Sequence, residues 1–133
     1  MTDPLEPASD YLDLVTAVEQ AGFHGIFIGA AERVLPRVTI CTEPSGGNSF
    51  WVAKDDGNRW WLATMGGYFF RVPETVSVAR VCISVLRGSG MWNLPPGMVT
   101  EFGLIEERTA GEAPLFQGRT CEEWHTEFWD LGP

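Results

Sequence analysis

The chain has 133 residues, of which 44% are hydrophobic and 20% are charged. This length suffices for one domain with its own core, and the composition excludes a wholly disordered chain. The formal net charge of −9 opposes direct binding to the phosphates of nucleic acids. We expect one globular domain over 1–133, with residues 1–8 as a flexible arm because two prolines interrupt them.

The acids are concentrated at the two ends of the chain. Residues 1–32 contain six acids and no base, and residues 101–133 contain eight acids and two arginines. Residues 33–100 contain four acids and seven bases. Such ends favour a basic protein as partner, although acidic ends also serve solubility without any partner.

Three features indicate a soluble cytoplasmic protein. The cysteines Cys41, Cys82 and Cys121 are odd in number and too widely spaced for a disulfide framework. The acidic N-terminus does not resemble a secretory signal, and the longest apolar stretch, 21–31, is too short to cross a bilayer. We therefore expect a reducing compartment and no membrane partner.

The first predicted element is a helix over about 10–21. Ser9 or Asp10 can cap its start and Gly22 can end it. Its apolar stripe at helical spacing consists of Tyr11, Leu14, Val15 and Val18. From residue 23 to residue 43 the β-branched content predicts two strands with an irregular turn near 35–37.

The central segment, about 49–73, predicts a meander of three antiparallel strands. Asp-Gly or Gly-Asn within 56–58, and Gly-Gly at 66–67, match two-residue hairpin turns. Side chains alternate across a sheet, so this register assigns them to two faces. Face A is the side of Phe50, Val52, Lys54, Trp61, Ala63, Met65, Tyr68, Phe70 and Val72. Face B is the side of Trp51, Ala53, Asp55, Trp60, Leu62, Thr64, Phe69 and Arg71.

The two faces have different predicted environments. Face A is nearly all apolar and is expected to meet the core. On face B, Trp51, Trp60 and Phe69 can form one aromatic cluster. That cluster is either covered by another part of the chain or exposed as a binding patch.

The segment after the meander predicts further helices. Residues 75–87 fit a helix, although their β-branched content also permits a strand. The helical stripe consists of Ala79, Cys82, Ile83 and Leu86. Residues 95–103 predict a short helix that begins with proline and ends at glycine, and residues 104–106 either a short strand or a tail.

The C-terminal part predicts an irregular segment and then a helix. Residues 109–118 lack a periodic pattern, whereas Thr120 and Glu123 have capping-box spacing ahead of an apolar stripe over about 120–131. Together these elements predict an α+β fold. Its sheet is mostly antiparallel with about five strands, and the helices pack on it.

Residues that carry catalytic chemistry are sparse. The sequence contains no phosphate-binding loop, metalloprotease, nucleophile-elbow or calcium-loop motif. Cys121 and His125 share a helix face, but two ligands do not complete a metal site. Asp55 and Asp56 fit ordinary turn chemistry, and Cys82 lies in an apolar run that raises a thiol pKa. No cofactor and no metal are predicted.

The sequence therefore predicts a non-catalytic protein-interaction module. The expected type is a small acidic inhibitor, an immunity-type or an anti-defence protein that binds a basic protein partner. The partner-binding candidates are Trp51, Trp60, Phe69, Arg71, Glu122, Glu123, Trp124, Glu127, Trp129 and Asp130.

Two alternatives stay open. One is a small enzyme with a pocket between sheet and helices, in which His24 or His125 acts as base. The other is a subunit of a homo-oligomer or a larger assembly, with a homodimer joined through face B.

Overall fold

The computed structural model describes residues 6–28, 35–42, 49–64, 66–88, 94–111, 114–120 and 123. The helices are α1 (Glu6–Gln20), α2 (Val78–Gly88), α3 (Pro96–Phe102) and α4 (Glu107–Ala110). The strands are β1 (His24–Ile28), β2 (Arg37–Cys41), β3 (Ser49–Lys54), β4 (Trp60–Ala63), β5 (Phe69–Arg71), β6 (Ile105–Glu106), β7 (Leu115–Phe116) and β8 (Arg119–Thr120).

The fold is the predicted α+β class. Strands β1 to β6 form one antiparallel sheet in chain order, and β7 pairs with β8 in a separate hairpin. The sheet has six strands rather than about five, because the short segment at 105–106 adds β6 to β5. Helices α1 and α2 are in contact with each other, and α1 also contacts β1 and β2.

Helix α1 begins at Glu6, four residues before the predicted start, so Ser9 and Asp10 lie inside it and do not cap it. A proline is compatible with the first turn of a helix, where its missing N–H has no intrahelical acceptor. The predicted apolar stripe is confirmed, with Tyr11, Leu14 and Val18 buried and Val15 half-buried. Residues 1–5 of the predicted arm lie outside the described residues.

The two turns of the meander contain three residues each, not two. At the first turn the amide N of Asp55 donates to the carbonyl of Arg59, and Asn58 adopts a φ of 63°. At the second, Thr64 donates in the same way to Tyr68, and Gly67 adopts a φ of 84°. A three-residue turn that ends in a left-handed residue is a common hairpin connection.

This longer turn makes the predicted face of β4 wrong. One added residue in a turn moves every side chain of the next strand to the opposite face. Val52 lies opposite Leu62, and Ala53 opposite Trp61. Trp61 and Ala63 therefore belong to face B, and Trp60 and Leu62 to face A. The second added residue reverses the shift, so Phe69, Phe70, Arg71 and Val72 lie on the faces predicted for them. Met65 lies outside the described residues.

The larger core lies between face A and the helices. It includes Leu14, Val18, Val38, Ile40, Phe50, Val52, Leu62, Phe70, Val81, Cys82 and Val85, all buried. Helix α1 lies along β1: a Cβ on Gly25 would be 3.3 Å from the Cα of Val15, and the rings of Tyr11 and Phe27 stack at 5.4 Å. Burial of one large apolar side chain contributes about 1.5–3 kcal/mol, so this layer is the main source of stability.

A second, smaller core covers part of face B. It consists of Leu35, Ala53, Trp61, Ala63, Phe69 and Phe116, with Trp51 and Ala110 at its margin. Phe116 comes from β7 and is fully buried. The hairpin of β7 and β8 thus covers the end of face B formed by β4 and β5.

Most of the segment from 75 to 87 is helical, which resolves the helix-or-strand alternative, but α2 begins at Val78, three residues after the predicted start. Its buried residues are Val81, Cys82, Val85 and Leu86, so the stripe is rotated from the predicted one by about one position. Helix α3 ends as predicted, at Gly103 with a φ of 65°. Among the described helices, none is long and apolar enough to cross a membrane.

The predicted irregularity of residues 109–118 is wrong. This stretch contains the end of α4 and the strand β7. Gln117 and Gly118 both have positive φ, 53° and 79°, and join β7 to β8 as a two-residue hairpin turn. The predicted capping box is formed: the amide N of Glu123 donates to Thr120 Oγ1 at 3.2 Å, and the amide N of Thr120 donates to Glu123 Oε1 at 3.0 Å. The rest of the last predicted helix lies outside the described residues.

Candidate protein-binding surfaces

The Asp55 carboxylate occupies the first hairpin turn and is fully engaged in structural bonds. It accepts the amide N–H of Arg59 at 2.9 Å, the Nε of Arg59 at 3.0 Å and the Nε1 of Trp61 at 2.8 Å. Its side chain is 2% exposed. Three donors directed at a buried carboxylate fix its position and orient the turn.

Asp56, the neighbouring carboxylate, fixes the β7–β8 hairpin. It accepts the amide N–H of Gln117 at 2.7 Å and of Gly118 at 2.8 Å, while its own amide N donates to the carbonyl of Leu115 at 2.8 Å. The two aspartates therefore act as structural acceptors, Asp55 within the turn and Asp56 toward the β7–β8 hairpin, which fits the turn role expected from the sequence.

The described nucleophiles and metal-ligand types do not assemble into a reactive site. Burial raises the pKa of the Cys41 thiol, and raises the pKa of the Cys82 thiol far above its usual value. Both cysteines are buried and free. His24 is half-buried in β1 opposite Cys41, and His125 lies outside the described residues. No group of three potential metal ligands occurs within the described ranges.

The predicted aromatic cluster of face B is only partly correct. Trp51 and Phe69 are in edge contact at 5.5 Å, and each also contacts Phe116. Trp60 lies on face A instead, where its ring meets Tyr11 edge-on at 5.2 Å and the Nζ of Lys54 lies 5.3 Å from it. Of the predicted aromatic candidates on face B, Phe69 is buried and Trp51 is half-buried.

Of the remaining predicted partner-binding candidates, the structure describes Arg71 and Glu123. Arg71 is half-buried on β5, opposite Trp61 and Ile105. Glu123 is exposed, and its carboxylate is used by the capping box. The others, Glu122, Trp124, Glu127, Trp129 and Asp130, lie outside the described residues and stay predictions.

Helix α1 is acidic along its length. Its fifteen residues include Glu6, Asp10, Asp13 and Glu19 and no base. Asp10 binds Lys54 Nζ at 2.7 Å. Asp13 and Glu19 are exposed and form no ion pair with any described residue. Their negative charge is therefore available to a partner.

Two exposed apolar residues are missing from the sequence-based candidates. The side chains of Leu12 on α1 and Ile26 on β1 are 51% and 47% exposed. Ile26 lies on face B, opposite Thr39, which in turn lies opposite Trp51. The sequence signal that could have found Ile26 is the strand HGIFI, which has no fully charged residue. The position of this strand at a sheet edge depends on strand order, which the structure shows.

Comparison with protein-family models, with curated proteins and with solved structures finds no match to the chain.

Proposed function

We propose that this protein is a non-catalytic, acidic interaction module of the inhibitor, immunity-type or anti-defence kind, and that it binds a basic protein partner. The observation that carries the proposal is the outer side of α1, where Asp13 and Glu19 are exposed on a helix without a base. Complementary charge at such a surface accelerates encounter with a basic partner and selects against acidic ones.

The pairing of the basic residues supports this proposal. Lys54 binds Asp10, Arg59 binds Asp55, and Arg108 binds Glu106 at 2.6 Å. Each contact neutralises one base and one acid within the molecule, and Asp13 and Glu19 of α1 remain as exposed acids without an ion pair to any described residue. The overall charge of −9 acts in the same direction.

Buried chemistry supports a binding role rather than a catalytic one. A thiol with a raised pKa is a poor nucleophile at neutral pH, which applies to both Cys41 and Cys82. Two free buried thiols are also compatible with a reducing, cytoplasmic location, which is part of the proposal.

Affinity capture from the native host, read by quantitative mass spectrometry, tests the proposal. The test variant is the double charge reversal Asp13→Lys with Glu19→Lys. The matched control is Glu74→Lys with Glu101→Lys, which reverses two exposed acids elsewhere and changes the net charge equally. We expect one basic protein to be retained by the wild type and the control, lost with the α1 variant, and lost at about 0.5 M salt because ions screen exposed charges.

Two outcomes would count against the proposal. Capture of the same proteins by the α1 variant and the wild type would contradict a role for α1 in binding. Retention of the partner at high salt would contradict an electrostatic contribution to binding. The enzyme alternative predicts a turnover that His24→Ala or His125→Ala abolishes without unfolding the protein.

A further inference from the structure

Strand β1 forms one edge of the six-stranded sheet. Of the described strands, β2 is its only partner. An edge strand presents backbone N–H and C=O groups that can pair with another strand, and natural proteins block such edges with lysine, proline, bulges or short length. The five residues of β1, HGIFI, contain none of these side chains. The opposite edge, β6, has two residues and carries Glu106 bound to Arg108.

Among the described residues, the two most exposed large apolar side chains lie beside this same edge, on opposite sides of the sheet. Ile26 projects from the middle of β1 on face B. Leu12 lies on α1, on the helix side away from Asp10, since two residues at 100° each separate them by about 160°. Asp10 binds Lys54 of β3, in the interior of the sheet, so Leu12 points toward the outer side of β1.

Leu12 is also level with Ile26 along the strand. Tyr11 stacks on Phe27, and Val15 lies over Gly25. Helix α1 therefore runs antiparallel to β1, and the turn of α1 that contains Leu12 is at the height of residues 25–27. Exposed apolar side chains on both sides of an unblocked strand are typical of a protein contact rather than of a solvated edge.

We infer that β1 pairs antiparallel with β1 of a second copy of this chain, around a two-fold axis at Ile26, and so joins the two sheets into one of twelve strands. In this register Ile26 lies beside its own counterpart, and Phe27 lies beside Gly25 of the second copy, which has no side chain to obstruct the ring. Leu12 of each copy approaches the same axis on face A.

The partner is a second copy because the strand is complementary to itself. An antiparallel pair centred on Ile26 places apolar side chains together and brings no full charge of β1 against a like charge. The contact differs from the homodimer that the sequence predicts through face B. Phe69 of that face is buried under Phe116, whereas Ile26 of β1 and Leu12 beside it are exposed.

Cysteine cross-linking of the intact protein tests the register, in a Cys41→Ala, Cys121→Ser background because Cys41 lies opposite His24 and would capture a cysteine placed there. Ile26→Cys should form a disulfide with its own counterpart, because directly opposed Cβ atoms in an antiparallel pair lie about 4.5–5.5 Å apart. His24→Cys alone should not, since its predicted neighbour is Ile28, but a mixture of His24→Cys and Ile28→Cys should give the mixed dimer. Leu115→Cys, equally exposed but on β7, is the matched control. Equal cross-linking of Ile26→Cys and Leu115→Cys would overturn the inference.

Solution mass at several protein and salt concentrations provides an independent measurement. We expect twice the monomer mass, with dimer favoured by salt because each copy carries −9. Ile26→Lys should weaken self-association by at least about tenfold, since it opposes like charges at the axis, and Leu115→Lys should not. Monomer mass for the wild type at every concentration would overturn the inference. The salt dependence has the opposite sign to that of basic-partner binding, so the two proposals fail separately.

Discussion

Asp55 and Trp61 are joined by a hydrogen bond of 2.8 Å from the indole Nε1 to the carboxylate Oδ2, and both side chains are buried on face B. This bond exists because the three-residue turn places β4 in a register that the predicted two-residue turn would not allow. The indole N–H thereby gains an acceptor away from water, as a buried tryptophan requires.

Asp55→Asn should destabilise the protein by about 2–3 kcal/mol, because a neutral amide cannot serve three donors and its NH₂ group opposes one of them. Chemical denaturation followed by tryptophan fluorescence measures the change. Asp56→Asn is the matched control: it also loses one oxygen acceptor, but at an exposed site the amide N–H left without it can bind water, so we expect a loss of at most about 1 kcal/mol. Equal losses of stability in the two variants would contradict a larger contribution from the buried hydrogen bonds of Asp55.

The turn itself can be tested at Asn58, whose φ of 63° suits asparagine and glycine. Asn58→Val should cost about 1–2 kcal/mol, since a β-branched side chain is strained in the left-handed region. Asn58→Gly should be tolerated. A valine variant as stable as the glycine variant would contradict the assigned turn, and denaturant midpoints suffice to compare them.

Phe116 tests the cover over face B. Phe116→Ala should cost about 3–5 kcal/mol and shift tryptophan emission to longer wavelength, because Trp51 and Phe69 lose the ring that packs against them. The neighbouring Leu115 is 45% exposed. Leu115→Ala should therefore change stability by less than about 1 kcal/mol. If both substitutions have the same effect, the hairpin does not cover face B.

The buried Cys82 thiol predicts a pH dependence. Burial raises its pKa, so the folded state keeps the proton that the unfolded chain releases near its ordinary pKa of 9.0. The free energy of unfolding is unaffected by this group below that pH and falls above it, by about 1.4 kcal/mol per pH unit. Cys82→Ala should remove this contribution to the pH dependence of the free energy of unfolding, which denaturation curves recorded between roughly pH 8 and pH 10.5 measure. Tyr11 and Cys41, whose pKa values are also raised by burial, contribute to the slope in both proteins. Parallel pH profiles for the two proteins would contradict the burial of Cys82.

Local patterns were sufficient for several elements of the fold. The stripe of α1, the capping box at Thr120 and the glycine end of α3 each depend on residues within about two turns of one another, and all three are confirmed. Which side chains of β4 lie on which face of the sheet could not be predicted from local patterns alone, because Asp-Gly and Gly-Asn occur in turns of two and of three residues.

Long-range contacts account for what the sequence did not show. The β7–β8 hairpin consists of two-residue strands, and Asp56 binds its turn from 61 and 62 positions away in the chain. Leu12 and Ile26 resemble ordinary apolar residues until the strand order places β1 at an edge. Neither the bonds of Asp56 nor the edge position of β1 follows from a periodic pattern in the sequence.

The acidic surface of α1 is tested most directly by a nuclear magnetic resonance titration. Isotopically labelled protein, with Ile26→Lys to keep it monomeric, would be mixed with the basic partner recovered by affinity capture. We expect amide shift changes concentrated in residues 9–20, and their loss in the Asp13→Lys, Glu19→Lys variant. Shift changes confined to β3–β5, or unchanged binding by that variant, would contradict binding through the acidic surface of α1.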